Sequence, residues 1–195
     1  MNFTLTTNKL GLGIVIVRDA TLAADYEPLP DPEPFPGRDI ADARKLYRAI
    51  HLDPTHSRPA SEALWRRVTR GKGMPRINQL VDVVNHCSVC LLRPFGSYDL
   101  AKVDGDVTVR LGEEGEWYAG HGKPRVNLAG RYVLADAAGP FGNPSSDSVR
   151  TSIGAGTTDA LIVVFGPADL PEDRLDWVGE TITAEVGGTF EAQIC

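Results

Sequence analysis

From residue 78 to about 92 the chain carries apolar side chains on nearly every face a helix can present: Leu80, Val81, Val83, Val84, Cys87, Val89, Cys90 and Leu91. Such a helix is stable only with other elements packed around it, so it predicts the buried spine of a domain. Asn78 supplies a side-chain oxygen that can cap its first turn. Two polar residues interrupt it, Asp82 and Asn85, three apart and therefore neighbours on one side. Buried polar groups need partners, so these two either anchor the structure or line a pocket.

Two amphipathic helices are expected ahead of this spine. Asp39 caps one that begins at Ile40 and turns Ile40, Ala43, Tyr47 and Ile50 to one face, until Asp53-Pro54-Thr55 breaks it. Pro59 opens a second, with an inner stripe of Ala60, Ala63, Leu64 and Val68, an outer face of Arg66, Arg67 and Arg70, and an end at Gly71-Lys72-Gly73. Residues 13–17 are a β-branched apolar run and read as a buried strand. Residues 27–37 hold five prolines, which suit neither ladder nor helix, so they predict an extended strap over the surface.

Past Pro94 the pattern changes to short strands and tight turns. Residues 94–99 and 103–106 read as turns, and 107–111, 117–118, 132–135 and 161–165 as strands. Residues 172–178 suggest a short helix and 181–186 a last strand. Helices mainly in the N-terminal half and strands mostly in the C-terminal half predict an α+β fold with a largely antiparallel sheet. One compact unit is expected, with residues 1–38 forming an N-terminal strand and strap and 39–195 the main body.

The chain has 195 residues, 24% charged and 42% hydrophobic, which excludes global disorder and suffices for a core without disulfides. Three cysteines give no disulfide framework, so a reducing, cytoplasmic setting is expected. The N-terminus lacks signal-peptide character. No apolar run reaches the ~20 residues that cross a bilayer. Cys87 and Cys90 form a Cys-x-x-Cys inside an apolar helix, which suits core thiols better than a redox pair. His51, His56 and His121 are scattered, so a zinc site lacks ligands and no metal is expected. Dinucleotide, P-loop and nucleophile-elbow motifs are missing, and residues 154–158 read as a glycine turn; no cofactor is implied.

The net charge of −6 argues against coating nucleic acid through total charge. Between Arg44 and Arg76, however, nine basic side chains face two acidic ones. That island is either a local phosphate-binding face or the solvated side of two helices. No aromatic residues interleave with its charges in the manner of a stacking platform for single-stranded RNA.

Several motifs follow one another in a specific order. They are Tyr47-Arg48-Ala49; Arg58-Pro59 with Ser61-Glu62-Ala63-Leu64; Arg66-Arg67-Val68; Gly71-Lys72-Gly73 with Pro75-Arg76-Ile77-Asn78; Val81-Asp82 with Asn85; and Gly96-Ser97-Tyr98-Asp99-Leu100 followed by Gly105-Asp106. The match resumes at Tyr132-Val133-Leu134-Ala135-Asp136 and Thr157-Thr158-Asp159-Ala160-Leu161. Over residues 40–166 this order resembles the B3/B4 domain, the tRNA-editing module of bacterial phenylalanyl-tRNA synthetase beta subunits, and above all its free-standing versions. No synthetase catalytic, anticodon-binding or oligonucleotide-binding-fold region is recognisable.

The resemblance implies an α/β-type fold with a pocket that hydrolyses the ester of a wrongly attached amino acid on tRNA. That ester is already activated, so a positioned water and oxyanion donors suffice. Asp82 and Asn85 fall on the aspartate and asparagine of the family motif. Asn85 is the candidate catalytic residue, orienting ester or water. Arg76, Asn78, Asp82, Ser97, Asp147 and Ser148 are candidate substrate contacts, and Arg66, Arg67, Arg70 and Lys72 a candidate tRNA grip. The implied partner is the aminoacylated acceptor end of tRNA, and no membrane. Two departures stand out: Gly96 occupies the place of a family histidine, and residues 143–150 lack the glutamate of a family Gly-Gly-Glu. Two functions are therefore expected to compete, a trans-acting aminoacyl-tRNA deacylase and a non-catalytic RNA- or amino-acid-binding module.

Overall fold

The computed structural model describes residues 1–167 and 172–195. Its centre is a sheet in the order β10-β2-β9-β3, formed by β2 (Gly11–Arg18), β3 (Phe95–Asp99), β9 (Ala160–Gly166) and β10 (Thr189–Ile194). All three pairings in it are antiparallel. A second sheet runs β1 (Phe3–Leu5), β4 (Val107–Leu111), β7 (Tyr132–Asp136) and β8 (Gly139–Gly142), with β1 and β4 parallel. A hairpin of β5 (Trp117–Gly120) and β6 (Lys123–Asn127) forms a third, two-stranded sheet, packed through Tyr118 and Val126 against Leu128 and Val133. The helices are α1 (Ile40–Ala49), α2 (Ala60–Val68), α3 (Gln79–Leu91) and α4 (Glu172–Val186).

Strand alternation divides the core in two. On β2 and β9, Leu12, Ile14, Ile16, Leu161, Val163 and Phe165 face the second sheet, where they meet Val107, Val109, Leu134 and Phe141. Val15, Val17, Ala160, Ile162 and Val164 face the other way, onto Leu80, Val83, Val84, Cys87 and Leu91 of α3 and Leu175, Val178 and Ile182 of α4. The central sheet is thus buried on both faces, which is why residues 11–17 and 160–166 read as continuous apolar runs rather than alternating ones. The fold is α+β.

Local signals account for the helix starts. The Asp39 carboxylate accepts the Ala41 amide at 2.9 Å, and the Asn78 side-chain oxygen accepts the Val81 amide at 3.0 Å. Cys87 and Cys90 are buried, and burial pushes the Cys90 thiol up to about 11 and the Cys87 thiol well above its usual range. Neither is a ready thiolate. No helix among the described residues is long and apolar enough to cross a membrane.

Three elements differ from the sequence expectation. Residues 181–186 are the last turns of α4, not a strand. Leu175, Val178, Ile182 and Val186 recur at three- and four-residue spacing and are all buried, so the helical period overrides the β-branched Thr181-Ile182-Thr183. Gly187 and Gly188, both at positive φ, then turn the chain into β10. Residues 95–99 form the edge strand β3 rather than a turn, because five residues of β9 pair with them.

The third difference is the inner face of α2. Ala60 and Ala63 are exposed, and Ser61 and Glu62 are buried instead. The Glu62 carboxylate receives Arg44 through two hydrogen bonds of 2.7 Å, Arg66 at 2.8 Å and, more loosely, Arg58 at 3.7 Å. A buried anion inside a cage of guanidinium groups replaces the apolar stripe, and part of the basic island exists to neutralise it.

The Arg44 hydrogen bonds hold the Glu62 carboxyl below its ordinary 4.5, against the opposing effect of burial. A depressed carboxyl stabilises the fold above its unfolded value and loses that contribution as pH falls. Glu62→Gln is expected to cost about 2–4 kcal/mol in urea unfolding at pH 7. The gap between variant and parent should close as the pH is lowered below 4.5; a gap that does not change with pH would refute the charged cage.

Candidate functional site

A cleft of about 290 Å³ opens beside β3, where the edge of the central sheet meets α3. Val81, Val84, Phe95 and Ile153 make its apolar part. Asn78 and Asn85 enter from α3, Ser97 from β3, Asp147, Ser148 and Ser152 from the segment after β8, and His121 from the turn between β5 and β6. The Asn85 amide and the Ser97 hydroxyl make no hydrogen bond to any described residue, so both face the cleft with their polar capacity unused. His121 Nε2 lies 3.0 Å from Ser152 Oγ across the rim.

The wall formed by residues 143–148 has no regular structure, and three tyrosines hold it. Tyr47 on α1 donates to the Pro144 carbonyl at 2.5 Å. Tyr118 on β5 donates to the Ser146 carbonyl and receives the Asn143 side-chain amide at 2.7 Å. The Asn143 oxygen in turn accepts the amides of Ser145 and Ser146, closing a tight turn. Tyr98 on β3 donates to Asp147 Oδ1 at 2.6 Å.

Burial pushes the Asp147 carboxyl up to about 7, while the Tyr98 hydroxyl and the Asn143 backbone amide draw it down. The carboxyl therefore changes charge near neutrality, a property suited to proton transfer. Burial and the Asp147 charge together raise the phenols of Tyr47, Tyr98 and Tyr118, which stay neutral donors.

Tyr98 also explains Gly96. A methyl group placed on Gly96 would lie 2.1 Å from the Tyr98 hydroxyl, and one on Gly142 would lie 2.2 Å from it. The phenol passes between two strands at points where neither has a side chain. Where the sequence resemblance leads one to look for a histidine, the space holds the Tyr98 hydroxyl on its way to Asp147.

The structure gathers five of the sequence-derived residues, Asn78, Asn85, Ser97, Asp147 and Ser148, around this cleft. Arg76 and Asp82 lie elsewhere. Asp82 accepts the Ile77 amide at 2.8 Å and the Tyr26 hydroxyl at 2.6 Å, and Arg76 stacks over the Tyr26 ring at 4.2 Å. They pin the proline-rich strap to α3 and border a separate pocket with Tyr26, Leu29 and Val83. Asp82 and Asn85 are three apart, but about 60° of helix rotation sends them to different cavities.

The expected tRNA grip is partly committed within the protein. Arg66 binds Glu62, and Arg67 donates to the Gly73 carbonyl at 2.9 Å. Arg70 and Lys72 are exposed at the end of α2. Sequence reasoning missed His121 and Ser152, which reach the cleft only through the pairing of distant segments. Among the described residues, no three or more His, Cys, Asp or Glu side chains gather as metal ligands.

The family profile described as the B3/4 domain matches residues 42–169. This chain belongs to the B3/4 domain family. Its matches to characterised proteins are local. It is 42% identical over 69 residues to the phenylalanine–tRNA ligase beta subunit of Paramagnetospirillum magneticum, covering 35% of this chain and 9% of that one. The corresponding subunit of Brucella abortus is 41% identical over 69 residues, with the same coverage. That of Bifidobacterium longum is 31% identical over 102 residues, 48% of this chain and 11% of that one. The B3/4 chain thus matches only 9 to 11% of the length of these relatives. A solved N-terminal fragment of the phenylalanyl-tRNA synthetase beta subunit from Pyrococcus horikoshii aligns over 97% of this chain and 50% of its own, with a TM-score of 0.49 and 16% identity. The family match spans α1 to β9, so β2 and β10, half of the central sheet in this B3/4 chain, come from outside it.

Gly96→Ala in this B3/4 chain is expected to cost about 1–3 kcal/mol by overpacking against Tyr98. Gly96→His, which puts an imidazole at that place, should cost at least as much. Urea unfolding of the single variants and of each combined with Tyr98→Ala forms a double-mutant cycle. Additive losses would show that the two positions do not compete for the same space.

Proposed function

We propose that this protein binds tRNA and that its cleft receives the aminoacyl end of a mischarged tRNA and hydrolyses the ester in trans. The observation that carries the reading is the convergence of an unengaged Asn85 amide and the Asp147 carboxylate on one cleft in a member of the B3/4 family. Its characterised relatives are phenylalanine–tRNA ligase beta subunits, whose substrate is tRNA.

The cleft suits the chemistry. Its apolar part can hold an aliphatic or aromatic side chain, and its polar rim can orient the ester. Asp147, as carboxylate, takes a proton from a water that attacks the ester carbonyl carbon. The Asn85 amide donates to the carbonyl oxygen as negative charge builds there. Collapse of the tetrahedral intermediate breaks the bond to the ribose oxygen, which leaves with the proton returned from Asp147. Free amino acid and deacylated tRNA are the products. Asn78, Ser97 and Ser148 would contact the amino acid or the terminal ribose.

A second reading, capture of an aminoacyl group without turnover, draws on Gly96, where the family's histidine has no counterpart. The two readings part on the rate of ester loss.

The test is release of amino acid from a panel of mischarged tRNAs, with a known editing enzyme as positive control. Release should rise through an apparent pKa near 7, because the reactive form of Asp147 is ionised. Asp147→Asn should slow it by about 10²–10⁴-fold, and Asn85→Ala by about 10²-fold or more. Tyr98→Phe removes a hydrogen bond that favours the carboxylate, so the rising limb should move to higher pH. No release above the spontaneous rate from any tRNA would end the hydrolytic reading; tight binding under those conditions would leave capture.

A further inference from the structure

A second depression, of about 320 Å³, lies on the far side of the wall formed by residues 143–148. Ser145 and Ser146 line it, whereas the next two residues, Asp147 and Ser148, line the cleft. Four cations border it from three separate segments: Arg58 before α2, Lys123 and Arg125 on β6, and Arg131 before β7. Among the described residues, no acidic side chain lines it.

These cations are loosely held. The side chains of Lys123 and Arg131 make no hydrogen bond or ion pair with any described residue; Arg131 is tied only through its backbone, to Leu128 and Gly112. Arg58 approaches Glu62 only at 3.7 Å, through a side chain more than half exposed. Arg125 lies over the ring of Trp117, 5.1 Å from its centre, and Trp117 is itself half exposed. Lys123, Arg125 and Arg131, without counter-charges in a concave site, signal an anionic ligand. An exposed aromatic beside them adds a face on which a base can stack. Cations spread over three segments fit a chain of phosphates better than a single small anion.

We infer that the backbone of RNA is gripped by Arg58, Lys123, Arg125 and Arg131 in this groove, not by the arginines of α2. The inference rests on the proposed function, and the groove and the cleft lie on the two sides of one wall. It reassigns the tRNA contact from Arg66 and Arg67, which bind Glu62 and the Gly73 carbonyl, to the β5–β6 hairpin. Lys123 and Arg125 are two apart on one strand and so lie on the same face of it.

The experiment measures binding of deacylated tRNA by fluorescence anisotropy over a range of salt. It uses the full chain, Lys123→Gln/Arg125→Gln, Arg58→Gln/Arg131→Gln, and a control, Arg66→Gln/Arg70→Gln/Lys72→Gln. Each groove pair should weaken binding at least tenfold and flatten the plot of log affinity against log salt by about 1.4 to 1.8. The α2 control should stay within twofold. Using two independent pairs, each checked by circular dichroism, guards against loss of fold in one. Parental affinity and slope in both folded groove pairs would overturn the inference, as would a loss confined to the α2 control. Inorganic polyphosphate binding as tightly as tRNA would overturn the assignment to RNA. An aminoacyl-adenosine ester, which has no phosphate backbone, separates the two readings. Its hydrolysis by the groove variants at the parental rate shows that the cleft stands whatever the groove does. Failure of the parent to bind tRNA at low salt would overturn groove and tRNA function together.

Discussion

The hydrogen bond from Tyr98 to Asp147 joins the hydrophobic core to the cleft. The phenol is fully buried between the two sheets, beside Phe141 at 4.9 Å and edge-on to it. Its hydroxyl emerges at the edge of β3, through space left by Gly96 and Gly142. A rigid ring in close-packed surroundings thus fixes a carboxylate that lies in an irregular loop. Tyr47 and Tyr118 fix the same loop from α1 and β5. Loops position functional groups well only when the scaffold holds them, and here three buried phenols do so.

The same arrangement sets the charge of the site. Desolvation raises the Asp147 carboxyl toward neutrality, and the neutral Tyr98 hydroxyl keeps it from rising further. Were the phenols acidic enough to ionise, their negative charge would oppose that of the carboxylate; burial prevents this by raising them as well. One carboxylate amid neutral donors is a site whose protonation responds to a bound cation, ester or water.

Electrostatics also divide the basic residues into two groups. Glu62 draws Arg44, Arg66 and, more distantly, Arg58 around a buried carboxylate, so much of the positive charge near α2 serves the fold. Among the described residues no acidic side chain lines the groove beside the β5–β6 hairpin, so the charge of Lys123, Arg125 and Arg131 is available to a partner. A count of charges along the chain cannot make this distinction. Arg66 and Arg131 carry the same charge, and only their neighbours differ.

Much of the architecture was legible in the residues. Asp39 and Asn78 cap helices, the strands at β2, β7 and β9 show in their apolar runs and β4 in its alternation, and the motif order of residues 40–166 points to the B3/4 family that the profile match then establishes. The misread elements, α4, β3 and the inner face of α2, share a cause. In each, local propensity competes with packing or pairing against distant segments. The sequence by itself determined periodicity, caps and family, because these depend on near neighbours along the chain. Tertiary structure alone decided that His121 and Ser152 face Asn85, that Asp82 turns away, and that Lys123, Arg125 and Arg131 meet Arg58. Those meetings depend on pairings between strands and loops far apart in the chain, which no spacing of residues encodes.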